Sequence, residues 1–123
     1  MYKRKFLNMI ILIVGMIVLF SCEYEKITYD VPDPTIPVSY ATDIQPIWAK
    51  GCVGCHPVGG PPPALTPDDS YNALITGGFI NDLVPDQSII YTSMTTGGSM
   101  AAYSNAQDAG KVLVWIQQGA KNN

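Results

Sequence analysis

The sequence predicts a small all-α domain, and three observations predict it. Ser104-Asn105-Ala106-Gln107 matches a capping box and opens a segment in which Ala109, Val112, Leu113 and Ile116 fall at i, i+3, i+4 and i+7. Thr66-Pro67-Asp68-Asp69 supplies the hydroxyl, proline and acids of a helix start. Ile44, Ile47 and Trp48 stand at i, i+3 and i+4, the apolar stripe of a third, shorter helix.

At 123 residues the chain holds one small domain, and the segment before it is a targeting sequence. Lys3-Arg4-Lys5 followed by the apolar run Phe6–Phe20, broken only by Asn8, has the charged and apolar regions of a secretory signal. The run is shorter than the roughly twenty residues a membrane-crossing helix needs. Leu19-Phe20-Ser21-Cys22 resembles the lipobox of bacterial lipoproteins, which implies cleavage after residue 21 and lipidation of Cys22. Lipidation also accounts for the odd member of three cysteines in an exported chain. Residues 22–38 then read as a lipid-anchored tether, with prolines at 32, 34 and 37 and no helical period. The domain proper is expected over residues 39–123.

Within it the first helix is expected to start at Thr42 as N-cap, to tolerate Pro46 in its first turn and to stop at Gly51. Pro57 to Pro63 can only be a loop. The helix begun at Thr66 would run through Tyr71, Leu74 and Ile75 to Gly77-Gly78, and Pro85-Asp86 starts a short one carrying Ile90 and Met94 at i and i+4. The last helix, capped at Ser104, ends at Gly119.

The chemistry sits at Cys52-Val53-Gly54-Cys55-His56, a C-x-x-C-H sequence. Two thiols on one turn can add to the two vinyl groups of a macrocycle, and the next residue then offers an imidazole to its iron, the attachment mode of heme c. A thioredoxin-like redox pair would call for a βαβ pattern, which is absent. Zinc would need distant ligands, yet His56 is the only histidine and no other cysteine is free. Cys52, Cys55 and His56 are therefore the expected heme-binding residues. For the sixth iron position only Met94 and Met100 remain after signal removal. Met94 has the placing of core packing, and Met100 in Gly97-Gly98-Ser99-Met100 is the favoured ligand.

From Ser39 to Ala120, about two thirds of the chain, the sequence resembles class I c-type cytochromes, in particular the single-heme domains of bacterial lipoproteins. The shared order is a first helix with an aromatic (Ile44 to Trp48), C-x-x-C-H, a Pro/Gly loop, Ser88 to Tyr91, a Gly-Gly-x-Met loop and a terminal helix. C-x-x-C-H is its specific motif. The resemblance implies a cytochrome c fold wrapped around one covalent heme, with Trp48 and Trp115 near the crossing of the first and last helices and Leu65 packed on the heme. It places the methionine ligand on Met100, although Ala101 stands where the family has proline, and assigns Pro61, Pro62 or Pro63 as the acceptor for the N–H of His56.

An iron held on both sides has no open position, so the expectation is an electron carrier and no enzyme. The alternative is a heme-based sensor or small-ligand-binding module with an open or labile sixth site. Peroxidase chemistry is disfavoured because the chain has a single attachment motif. Beyond residue 21 four lysines face ten acids, so the whole-chain charge of −3 deepens on maturation. That balance argues against nucleic acid and for redox protein partners, donor and acceptor, with a basic docking face. A monomer is expected, exported and lipid-anchored to a bacterial membrane at its periplasmic face or at the cell surface.

Overall fold

The computed structural model describes residues 2–5, 8 and 32–123. Cys22, most of the signal's apolar run and the tether up to residue 31 lie outside the described residues. Among the described residues there is no strand, and no helix is long and apolar enough to cross a membrane. The domain is all-α, with short helices joined by ordered loops.

The first helical element is a π-turn, Tyr40–Ile44, running directly into helix α1, Gln45–Ala49. Its cap is Ser39 and not Thr42: the Ser39 hydroxyl accepts the N–H of Thr42, and the Asp43 carboxylate accepts the N–H of Ser39. The helix starts three residues earlier than expected because the wide turn brings Tyr40 onto the face of Ile44, and both are buried. Asn123 closes this end, accepting from Ala41 N–H and the Ser39 hydroxyl through its carbonyl and from Tyr40 N–H through its side chain.

Helix α2 spans Ser70–Thr76, with residues 67–69 forming a separate turn ahead of it; Thr66 bonds Asp69 at 2.8 Å there. Gly77 and Gly78 terminate it, Gly78 at φ +73°. The element expected from Pro85 is two pieces, a 3-10 turn Pro85–Gln87 and helix α3, Ile89–Met94, divided at buried Ser88. Helix α4 spans Ala106–Gln117 and stops at Gly119, φ +93°. Asn105 caps it, accepting the N–H of Asp108, one residue later than the expected Ser104. Ser104 is drawn off to the carbonyl of Met94.

The core gathers Ile44, Trp48, Leu74, Val112, Trp115 and Ile116, each at most 1% exposed. Each large apolar side chain so buried contributes roughly 1.5–3 kcal/mol. Trp115 lies 5.2 Å from Tyr40 and 6.4 Å from Tyr71, an aromatic cluster joining the first helical element, α2 and α4. The Tyr40 hydroxyl donates to Ser70 Oγ at 2.6 Å inside this cluster. Nearby, the indole N–H of Trp48 is buried without a hydrogen-bond partner.

Leu113, expected on the core face, is only half-buried, and Val114 is buried instead. The reason is a second layer on α4. Residues 32–38 lie along the helix, with the Gln118 side chain donating to Pro34 O (3.0 Å) and Ile36 O (2.8 Å) and accepting Val38 N–H (2.8 Å). Asp33 turns this strap through two bonds from Thr35, which hold its carboxyl below the usual range. Gly110 makes room for it, since a Cβ there would come within 2.9 Å of Pro32. Where the tether is described, it is docked on the domain.

Candidate functional site

Helix α1 continues as a coil straight into the C-x-x-C-H motif. Trp48 O accepts the N–H groups of Cys52 (3.0 Å) and Val53 (3.3 Å), and Cys52 O accepts those of Cys55 (3.1 Å) and His56 (2.9 Å). The two thiols and the imidazole are thereby set on consecutive turns of one rigid stretch. Both cysteines are free: Cys52 is half-buried with Sγ 4.0 Å from Ile47 O, and Cys55 is exposed. Burial pushes the Cys52 thiol up, and the charge of Asp108 and the neighbouring Cys55 add to it.

His56 is fixed by the loop that follows it. Nδ1 lies 3.0 Å from Pro61 O and 3.1 Å from Pro63 O. Both neighbours can only accept, so Nδ1 carries the hydrogen, and in the neutral tautomer that this fixes the lone pair is on Nε2. Of the three prolines left open by the sequence, Pro61 and Pro63 supply the acceptors. The N–H of buried Leu65 bonds the His56 carbonyl at 2.8 Å and closes the loop. A proline-rich segment suits this task because its carbonyls are not consumed by local helix formation.

The two methionines separate cleanly. Met94 ends α3 inside the core, 7% exposed, whereas Met100 is 36% exposed on its own loop. That loop folds back on α3: Met100 N–H bonds Ser93 O at 2.8 Å, Gly97 takes φ +86°, and Gly98 presses on the carbonyls of Thr92 and Ser93 so closely that no Cβ fits. The Gly97-Gly98 pair is thus a backbone requirement. The structure groups Cys52, Cys55 and His56 on one coil and presents Met100 from a separate one.

One group beside the motif was not legible in the sequence. Lys50, the C-cap of α1 two residues before Cys52, reaches both oxygens of Asp108 at 3.1 Å. Asn105 Nδ2 also donates to that carboxylate, at 2.9 Å, while Asn105 Oδ1 accepts the Asp108 N–H. The only sequence signal was the Asn105-x-x-Asp108 spacing of a cap, which says nothing of Lys50. A cavity of about 650 Å³ lies between α3, α4 and the strap, walled by Pro32, Pro34, Tyr91, Met94 and Leu113, apart from the C-x-x-C-H coil. Among the described residues no group of three His, Cys, Asp or Glu side chains is placed to hold a metal.

Comparison with known proteins returns no matching family model, no matching curated protein and no matching solved structure.

Proposed function

We propose that the protein is a single-heme c-type cytochrome of class I fold, lipid-anchored through Cys22, that carries electrons between protein partners. The observation that carries this reading is the coil of two free thiols ending in an imidazole whose Nδ1–H is held by two prolyl carbonyls. The donor set fits the group. Cys52 and Cys55 would each add S–H across one vinyl bond, forming a carbon–sulfur bond and leaving the hydrogen on the adjacent carbon. His56 would bind iron through Nε2, and the Pro61 and Pro63 carbonyls keep its ring oriented and raise its basicity. Met100 would supply a second ligand, since its side chain is 36% exposed outside the core while that of Met94, 7% exposed, is packed within it. When bound, heme would supply one-electron exchange at iron, at a potential that thioether ligation together with imidazole raises. If His56 and Met100 both bound the iron, no position would be left for a substrate, which is why the proposed role is carrier and not catalyst.

A second reading, a heme-based sensor with a labile sixth site, draws on the exposure of Met100 and on Ala101 in place of a stiffening proline. Absorption spectra of the full chain matured with heme-attachment machinery separate the two. The carrier gives low-spin spectra in both oxidation states, a weak far-red ferric band lost in Met100→Ala but kept in Met94→Ala, and no response to carbon monoxide. High-spin spectra or ready carbon monoxide binding select the sensor, and no covalent heme at all overturns both.

A further inference from the structure

We propose that the Lys50–Asp108 ion pair tunes the C-x-x-C-H coil electrically, its two charges shifting the reduction potential of the bound group in opposite directions. This inference rests on the cytochrome reading. Its basis is placement: Asp108 comes from the first turn of α4, fifty-eight residues away in sequence, and is brought onto the residue that lies two positions before Cys52. The carboxylate cannot swing away. It receives Lys50 Nζ on both oxygens and Asn105 Nδ2 on one, and its own N–H is tied to Asn105 Oδ1.

The pair is also unequal. The side chain of Asp108 is 11% exposed and that of Lys50 is 63% exposed. Solvent therefore screens the ammonium more than the carboxylate, and the field left over at the coil is that of a partly offset anion. A fixed anion near a redox iron favours the more positively charged, oxidised state.

The consequence is a sign rule. Asp108→Asn removes the anion and is expected to raise the midpoint potential. Lys50→Gln uncovers the anion and is expected to lower it. A role confined to holding the two helices together would give no such pattern, because either substitution breaks the same contact and would move the potential the same way. Lys50 is largely exposed, so its variant carries the test even if Asp108→Asn folds poorly.

The experiment is potentiometric titration of the full-length, heme-loaded wild type and both variants at low ionic strength, with thermal melting of each alongside. Opposite shifts, with Lys50→Gln below wild type, support the proposal. Equal-signed shifts, or no shift in Lys50→Gln, overturn it while leaving the cytochrome reading intact. Wild-type protein without covalent heme overturns both.

Discussion

The buried hydroxyl of Tyr40 shows how one side chain sets a pH limit. It donates to Ser70 Oγ at 2.6 Å, with Tyr40 3% and Ser70 0% exposed. Burial pushes its pKa above the ordinary 10.0, outweighing the opposing effect of the hydrogen bond with Ser70. In the unfolded chain the phenol loses its proton first, so between the two pKa values the folded state binds more protons and stability falls as pH rises. Stability from this site is complete below the ordinary tyrosine value and is lost above it. Tyr40→Phe is expected to cost about 1–3 kcal/mol at neutral pH by stranding Ser70, and to flatten the alkaline limb; chemical denaturation from about pH 8 to about pH 11 measures both. An alkaline limb as steep as wild type would show that other groups dominate it. At this scale Cys52, Cys55 and His56 were legible because their spacing is local. Tyr40 and Asp108 were not, because their partners lie thirty and fifty-eight residues away and no periodicity encodes such distances.

Helix positions followed from the sequence more readily than helix edges. Glycines stop α2 and α4 as expected, since only a residue without Cβ takes φ +73° or +93° without strain. Starts moved by one to three residues wherever several polar side chains could cap, and tertiary demand chose among them: Asn123 gathers Ser39 and Tyr40, and Met94 O takes Ser104. The strap of residues 32–38 was read as tether because prolines favour extended chain in either setting, docked or free. One side chain decides between them. Gln118 uses both amide hydrogens and its oxygen on the strap, so Gln118→Ala is expected to cost about 1–3 kcal/mol and to speed hydrogen exchange at the Val38 amide, with the α4 interior unaffected. Unchanged protection at Val38 would mean that the prolines alone hold the strap down.

At the scale of the molecule the charge is one-sided. Residues 32–123 contain seven aspartates against three lysines, and Lys50 with Asp108 forms a closed pair. Asp68, Asp69, Asp82 and Asp86 are exposed and face few cations, so the domain carries a negative field into solution. For the electron carrier proposed above, such a field speeds encounter with a basic partner and slows it with an acidic one. The effect belongs to the approach and not to the docked contact, so it decays with screening over a Debye length of about 10 Å at 0.1 M salt. Electron-transfer rates between the heme-loaded protein and a lysine-rich redox protein are therefore expected to fall several-fold from about 0.01 M to about 0.5 M salt, while an acidic acceptor shows the opposite trend. Stopped-flow absorbance at constant driving force reads both. A flat profile with the basic partner would remove steering from the account, and the acidic composition would then serve only solubility.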